Sequence, residues 1–445
     1  MEAWRNSLGA SDVVTAIDGF PISRAGYFML NSFFSKCRFA AASRSFAAMA
    51  VSFAVMLALG APAHAQRQRT PPPEPSTTPW VSPNAIQELQ GAIALYQRIV
   101  GAGGLPALPS RITLRPGDSD ENVATLRRHL ELTGDLKRGG NSYLFDGALE
   151  AGVKRYQLRN GLDPTGVVYG ITQRSMNVPA DTRLRQLQLN LSRMQELLPK
   201  LSAPRYVLMN SASFELQALS GGRVELTSRT IAGKRGTPTP NVSATLQALN
   251  IYPYWHVPGS IAKAALIPMV RKDPSYLYKE HIRVFSSFGG EEIDPSLVNW
   301  WGPEAERYVF RQDPGPHNAL GILRFDMPNK HIVYMHDTPM KNLFDYFERA
   351  NSAGCVRVQR YVDLADWLLA GQDGWTRPAL EDALAAGRAK TIKLARPVPV
   401  HFIYLTAWAE NGVVQFRNDL YNRDGSAFDS GEDVASRSFP TSVAP

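Results

Sequence analysis

The chain has 445 residues, of which 44% are hydrophobic and 20% are charged. These proportions are ordinary for a globular protein of several domains, and they exclude a wholly disordered chain, a coiled coil and a polytopic membrane protein. Lysine and arginine outnumber aspartate and glutamate by 48 to 40, an excess that suits an anionic partner but is too dispersed to indicate nucleic-acid binding.

The first predicted element is typical of export. Residues 46–59 are predominantly apolar, follow three basic residues and precede the small-x-small sequence Ala63-His64-Ala65. The apolar run is too short to span a membrane comfortably. The pattern therefore predicts a secretory signal peptide over residues 1–65, with Met29 as an alternative translation start because the preceding segment is long. A retained membrane anchor is the competing interpretation.

A linker and two long helices follow. Residues 66–79 are rich in proline, threonine and serine, which predicts an extended linker. Helical spacing of apolar residues predicts helices over 84–100 and 183–198. Each helix is amphipathic and too short to be stable alone, so we expect the two to pack on each other. Together, residues 80–110 and 178–203 form a predicted helical scaffold.

Between the scaffold helices, residues 111–177 predict a compact unit of three helices. Asp118 with Glu121 has the spacing of a capping box at the start of the first helix. Asp146 is placed to cap the second helix, and residues 172–176 give a short third one.

Beyond Pro204 the pattern changes from helical to alternating, which predicts a mostly β domain over residues 204–423. Within it, residues 266–316 are aromatic-rich and poorly periodic, as is typical of an insertion that lies over the rest of a domain. A polar, disordered tail is expected over residues 424–445. The predicted elements are strands at Tyr206–Asn210, Phe214–Leu219, Arg223–Thr227, Ile322–Phe325 and His331–Met335, helices at Pro339–Arg349 and Tyr361–Ala370, and a closing hairpin of His401–Trp408 with Val413–Arg417.

The candidate chemistry lies in residues 331–358, where a strand delivers His336 and the chain returns to a turn of small residues that holds Cys355. Cysteine attacks acyl groups as a thiolate and needs a neighbour that lowers its pKa or takes its proton, for which imidazole is the usual group. Small residues such as Gly354 allow backbone N–H groups to face a reacting carbonyl. Arg357 is a candidate to steady the thiolate or to pair with a substrate carboxylate. Because export leaves Cys355 as the single cysteine, we predict a nucleophile rather than a small buried hydrophobic residue.

The other candidate residues also have ordinary structural interpretations. Trp255 either lines a substrate groove or packs in the core, and packing is the more frequent case. Asn318 is either a substrate contact or a turn residue. The histidines show no ligand spacing such as HxxxH, so neither a metal nor another cofactor is predicted.

The sequence HDTPxKxLF at residues 336–344, followed by SxGCVRV at residues 352–358, resembles the active-site signature of the L,D-transpeptidase (YkuD-type) catalytic domain. The similarity is to the large periplasmic murein branch of that family. Residues 111–177 are similar to a peptidoglycan-binding module, for example in Phe145-Asp146-Gly147. The resemblance implies an α+β multidomain fold, with a mostly β catalytic domain, a capping insertion over the active site, the three-helix module and a small helical scaffold.

The resemblance also implies a site and a reaction. Cys355 would attack the carbonyl that precedes the terminal D-alanine of a tetrapeptide stem, and the amine of a second stem would resolve the thioester into a cross-link between two diamino acids. His336 would be the general base and acid, oriented by the main-chain carbonyl of Asp337. Backbone N–H groups around Gly354 and Cys355 would stabilise the oxyanion, and Ala353 replaces a His or Ser that many relatives carry. The substrate-binding candidates are Arg357, Ser352, Asn318, Tyr334 and Trp255.

The partners implied by the resemblance are peptidoglycan stem peptides and glycan, carbapenem-type inhibitors and, as further candidates, cell-wall synthases. Nucleic acid is not expected. The expected location is the periplasm, with an inner-membrane anchor if the signal peptide is retained.

Other enzyme classes also combine a histidine with a cysteine. A sortase-like enzyme expects a Thr-rich strand before its cysteine, and a papain-like peptidase expects its cysteine before its histidine, so both fit poorly. An L,D-carboxypeptidase, in which water resolves the thioester, stays open. So does a non-catalytic protein that binds the wall.

Overall fold

The computed structural model describes residues 72–137 and 142–425. The predicted signal peptide and all but the first two residues of the predicted tail lie outside this part of the chain. Among the described residues, no helix is both long and apolar enough to cross a membrane.

Two long helices form the scaffold. The first begins after Ser82, whose hydroxyl accepts a hydrogen bond from the amide of Ala85, and proline occupies its first position. It packs against the second, and side chains such as Leu89 and Leu187 are fully buried between them and the closing hairpin. This confirms the expected pairing. The helices before the β domain are α1 Pro83–Gly101, α2 Glu121–Leu132, α3 Gly147–Arg159, α4 Gly170–Met176 and α5 Ala180–Leu197.

Helices α2, α3 and α4 enclose a separate apolar core, as expected. Asp146 caps α3 through the amide of Leu149. The predicted capping box at Asp118 is wrong, because Asp120 caps α2 while the carboxylate of Asp118 accepts the amide of Arg115 in the preceding turn. The error is one of position, since both aspartates satisfy free backbone N–H groups.

The proline-rich segment is extended, but it is not a free linker where the structure describes it. Pro72 and Pro75 are buried. The Arg229 guanidinium donates to the Pro72 carbonyl and pairs with Glu74, and the Gln217 amide donates to two further carbonyls of the segment. Residues 72–80 are therefore docked on the β domain.

Within the described residues, nine strands form the main sheet in the order β11-β3-β12-β10-β9-β4-β13-β1-β2. Because β2 also pairs with β3, the sheet closes on itself, with β11 attached outside the ring, and its interior is filled by one large apolar core. The strands are β1 Arg205–Asn210, β2 Glu215–Ser220, β3 Arg223–Gly233, β4 Val242–Ile251, β5 Trp255–Val257, β6 Ile282–Phe285, β7 Glu292–Ile293, β8 Val309–Gln312, β9 Leu323–Asp326, β10 Met335–His336, β11 Ala350–Ser352, β12 Val356–Val358, β13 Lys390–Ile403, β14 Ala407–Glu410 and β15 Val413–Phe416.

One predicted helix of this domain is wrong. In place of a helix over 339–349 there is a single 3-10 turn, Lys341–Asp345, after which the chain extends into β11. The side chain of Arg349 is buried and donates hydrogen bonds to the carbonyls of Thr230 and Phe214. These contacts hold the segment against β3 and override its helical pattern.

The insertion is a small domain of its own. Strands β5, β8, β6 and β7 form a four-stranded sheet that, with helices α6 Ile267–Lys272 and α7 Tyr276–Lys279, encloses an apolar core. The insertion therefore runs from Trp255 to Gln312 and begins about ten residues before the predicted start at 266. After β12 come α8 Tyr361–Leu369, close to prediction, and α9 Arg377–Ala385, which the sequence pattern did not reveal.

Candidate active site

Strand pairing brings the candidate nucleophile and base to one face of the sheet. Strand β10 runs parallel to β12 and antiparallel to β9, so His336 lies opposite Arg357 on one side and Arg324 on the other. Directly opposed residues in neighbouring strands project from the same face. Cys355 lies immediately before β12, in the turn that leads into the strand, and the charges of Arg357 and Arg324 act on both its thiol and the imidazole of His336. The thiol, the imidazole and two guanidinium groups converge there.

The imidazole of His336 is fixed in one orientation. Its ring is 4% exposed, and Nδ1 donates a hydrogen bond of 2.5 Å to the main-chain carbonyl of Asp337. With Nδ1 protonated, Nε2 is the basic nitrogen. Burial, reinforced by the charges of Arg357 and Arg324, lowers the pKa of His336 to about 3. The imidazole is therefore neutral and able to accept a proton.

The carboxylate of Asp337 has a different task from its carbonyl. It is buried, pairs with Lys341 and accepts the amide of Ile322. A side chain at Gly321, whose φ is +62°, would overlap this carboxylate. Asp337 therefore fastens the turn before β9 through its side chain and orients His336 through its main chain, as the family resemblance implied.

The thiol of Cys355 is half-buried. Burial raises its pKa, although the amide and hydroxyl of Tyr334 and the charge of Arg357 act in the opposite direction. At rest the thiol and the imidazole are therefore both neutral. Such a pair acts by transferring the proton during attack, with the histidine as general base, rather than through a preformed thiolate–imidazolium pair.

The turn that carries the thiol is held by Ser352. Its hydroxyl accepts the amide of Gly354 at 3.1 Å and donates to the carbonyl of Cys355 at 2.5 Å. Gly354 has φ +117°, a conformation that favours glycine. Among the described residues, the amide N–H of Cys355 has no hydrogen-bond acceptor. It is therefore a free donor beside the thiol, of the kind that forms an oxyanion hole.

Two of the predicted substrate-binding residues lie next to the thiol. The hydroxyl of Tyr334 contacts Cys355 and is hydrogen-bonded by Trp255, which packs in the insertion core. Trp255 therefore packs, as one of the two alternatives expected, and its contact with Tyr334 links the insertion to the neighbourhood of the thiol.

Arg357 is a cation without a counter-ion in the described part of the chain. Among the residues that the structure describes, its guanidinium makes one weak hydrogen bond to a side chain, to the sulfur of Met340 at 3.7 Å, and its Nε is buried without an acceptor. Burial lowers its pKa to about 10, so it stays charged at neutral pH. An unpaired guanidinium beside a nucleophile suits an anionic group on the ligand.

Asn318 belongs to a turn rather than to the substrate. It is fully buried, its amide nitrogen donates to the carbonyls of Pro253 and Asp313, and its oxygen accepts the amide of Leu320. No polar group is left for a ligand, so the substrate-binding alternative for Asn318 is wrong.

Arg324 lies opposite His336 but was not predicted from the sequence. Only the strand register places it there, and a single sequence does not show the register. Among the described residues, no group of three His, Cys, Asp or Glu side chains is placed to hold a metal ion.

Comparison with known proteins assigns two segments. Residues 204–380 match the family model of the "L,D-transpeptidase catalytic domain" (YkuD), and residues 119–176 match that of the "Putative peptidoglycan binding domain". The resemblance seen in the motifs is thereby confirmed for both segments, as is the α+β fold with a β-rich catalytic part.

A curated relative from Haemophilus influenzae, named "Putative L,D-transpeptidase", is 32% identical over 219 residues, which is 49% of this chain and 44% of the relative. The chain thus matches less than half the length of that protein. Among solved structures, an L,D-transpeptidase from Mycobacterium smegmatis has 13% identity and a TM-score of 0.24, covering 45% of this chain and 59% of its own. Another, from Stackebrandtia nassauensis, has 12% identity and a TM-score of 0.24, covering 67% and 97%.

Proposed function

From the match of residues 204–380 to the L,D-transpeptidase catalytic domain, we propose that the protein is a cysteine-dependent L,D-transpeptidase of peptidoglycan. The observation that carries the proposal is the convergence of Cys355, His336 and a free backbone N–H on one face of the matched domain. The reaction joins the diamino acids of two stem peptides and releases D-alanine.

The first step is acylation of the thiol. Sγ of Cys355 bonds to the carbonyl carbon before the terminal D-alanine, while Nε2 of His336 takes the thiol proton. The amide N–H of Cys355 stabilises the resulting oxyanion. The carbon–nitrogen bond to D-alanine then breaks, and the imidazolium returns its proton to the leaving amine.

The second step reverses these roles. The side-chain amine of a second stem attacks the thioester carbonyl, gives a proton to His336 and forms the new amide bond. The thiolate leaves and recovers that proton, so atoms and charges balance over the cycle. The insertion over residues 255–312 excludes water from the thioester in this scheme, which favours a bound amine over hydrolysis.

Arg357 supports the choice of substrate. A tetrapeptide stem ends in a carboxylate one residue beyond the scissile carbonyl. The unpaired guanidinium of Arg357, two residues after the nucleophile, is placed to pair with such a group. When the scissile bond breaks, this carboxylate leaves with D-alanine. The guanidinium then no longer binds the stem that stays attached to the thiol.

The proposal extends to location and partners. The matched peptidoglycan-binding segment, residues 119–176, supports binding of the wall. The signal pattern over residues 1–65 supports export to the periplasm, with an inner-membrane anchor as the alternative. Carbapenem-type β-lactams, which acylate serine or cysteine nucleophiles, are proposed inhibitors, and cell-wall synthases are proposed partners.

The test is incubation of the protein with purified tetrapeptide muropeptides and analysis of the products by mass spectrometry. We expect dimers joined through two diamino acids, with one D-alanine lost for each link. Tripeptide monomers alone would replace the proposal by an L,D-carboxypeptidase. Unchanged substrate, with a folded protein, would leave a non-catalytic wall binder.

A further inference from the structure

Three consecutive peptide groups form the turn that carries the thiol, and Ser352 holds only the outer two. Its hydroxyl accepts the amide of Gly354, which belongs to the Ala353–Gly354 peptide, and donates to the carbonyl of Cys355, which belongs to the next peptide but one. The Gly354–Cys355 peptide between them provides the oxyanion donor, and Ser352 does not touch it.

The middle peptide is held instead by a residue far away in sequence. The hydroxyl of Thr239 donates a hydrogen bond of 2.9 Å to the carbonyl of Gly354. The same oxygen accepts the amide of Gly233 at 2.9 Å. The side chain is fully buried, so water does not compete for either bond.

A trans peptide is planar, and its carbonyl and N–H point in opposite directions. Holding the Gly354 carbonyl toward Thr239 therefore points the Cys355 N–H away from Thr239. Gly354 has φ +117° and no side chain, so a rotation of this peptide meets little steric resistance. After such a rotation a carbonyl would face the developing oxyanion and repel it.

The loop that carries Thr239 is packed so that the hydroxyl stays in place. A side chain at Gly233 would overlap the carbonyl of Thr237, so glycine is required there for the close approach. The amide of Lys234 and the hydroxyl of Thr237 both donate to the carbonyl of Ser352, each at 3.0 Å. The loop is thus joined to the thiol turn at two carbonyls, those of Ser352 and Gly354.

We infer that Thr239 is a positioning residue for catalysis, whose hydroxyl sets the direction of the Cys355 N–H and so completes the oxyanion hole. The inference rests on the proposed function. According to this inference, the nucleophilicity of the thiol does not depend on Thr239. The attack of the thiol on a carbonyl group does depend on it, because that attack forms an oxyanion.

The test compares two reactions of the same sulfur. Acylation by a carbapenem passes through an oxyanion, whereas alkylation by iodoacetamide takes place at a saturated carbon and forms none. For Thr239→Val we expect the acylation rate to fall by about 10- to 10²-fold, somewhat less than the 10²- to 10³-fold typical for complete loss of one donor. The alkylation rate should stay within about twofold of the wild-type value, and Thr239→Ser, which keeps the hydroxyl, should restore most of the acylation.

Thr230 supplies a matched control. It is a fully buried threonine of β3 whose hydroxyl has no hydrogen-bond partner among residues 72–137 and 142–425, so Thr230→Val makes the same chemical change without touching the turn. Both rates should be unchanged in this variant. If Thr239→Val does not fold, Thr239→Ala takes its place, with the ratio of the two rates measured on the folded protein.

Two results would overturn the inference: an unchanged acylation rate in Thr239→Val, or an equal fall in acylation and alkylation, which would mean that Thr239 only places the sulfur. Failure of the proposed function looks different, because then the wild-type protein itself would neither be acylated at Cys355 nor cross-link muropeptides.

Discussion

The three-helix module and the active site are built from opposite kinds of contact. The module core comes almost entirely from one continuous stretch, residues 108–176. The candidate active site joins residues 324, 336 and 357 of neighbouring strands, and Cys355 in the turn before β12, to Thr239, whose contact with that turn spans 115 positions of sequence. Local patterns therefore determine the module, whereas the site exists only when distant segments have been brought together.

The largest effect should come from the nucleophile itself. Cys355→Ala removes the atom that forms the thioester, so we expect complete loss of carbapenem labelling and of cross-linked muropeptides. Mass spectrometry of the intact protein measures the first and product analysis the second. Residual labelling at another residue would remove Cys355 from its proposed role. The module should fold normally in this variant.

His336→Ala should lower the acylation rate by about 10²- to 10⁴-fold, the usual contribution of a general base. Iodoacetamide alkylation of Cys355 serves as the control that the sulfur is still accessible. A near-wild-type acylation rate would place the base elsewhere. This variant tests the contrast between the module and the site, because the loss of one side chain should lower the reactivity of Cys355 and leave the stability of the module unchanged.

The pH dependence of acylation should show that His336 is neutral at rest. Since its pKa is lowered to about 3, the imidazole remains able to accept a proton well below the ordinary histidine value near 6.5. We expect the rate of acylation by a carbapenem at pH 5 to stay within about twofold of the rate at pH 7. A tenfold fall over that range would mean that His336 becomes protonated near the ordinary histidine pKa and contradict its burial as a neutral base.

A smaller effect is expected from Gly321→Ala. The added methyl group would meet the carboxylate of Asp337, whose carbonyl orients His336. Displacement of Asp337 should lower the acylation rate by about tenfold, in line with the sensitivity of catalysis to small misplacements. Gly91→Ala, on α1 with open space around it, is the matched control and should react at the wild-type rate. Equal rates in the two variants would contradict the positioning role of Asp337.

The smallest effect on chemistry should follow from a change within the module. Arg159 and Asp135 form a buried ion pair at 2.5 Å, and Arg159→Met leaves the carboxylate of Asp135 buried with the hydroxyl of Thr133 but without its cation. It also removes the hydrogen bond from Arg159 to the carbonyl of Val414 in β15. We expect a loss of about 3–5 kcal/mol in the stability of the module. The acylation rate of Cys355 should nevertheless remain within about twofold. A fall in the acylation rate that accompanies the loss of module stability would show that the module and the site depend on each other.

The same contrast explains which features could be predicted from the sequence. Helices α1 to α5 were placed within about three residues, because capping residues and apolar spacing are local signals. The predicted helix at 339–349 failed because the buried guanidinium of Arg349 bonds to carbonyls more than 100 positions away. The candidate site residues that lie within one motif, Cys355, His336 and Arg357, could be identified from the sequence. Arg324 and Thr239 were not, since only strand register and loop packing bring them to the thiol.

Side chains near the end of the described chain brace the loop that carries Thr239. The hydroxyl of Tyr421 donates to the carbonyl of Gly233, and the guanidinium of Arg423 donates to that of Thr239, across 188 and 184 positions of sequence. Both lie beyond residue 380, where the match to the catalytic family ends. A chain is synthesised from its N-terminus, so the reactive cysteine is made about 65 residues before the side chains that brace its supporting loop. In the proposed mechanism, a newly made chain therefore carries its thiol before it carries the side chains that brace the loop of Thr239.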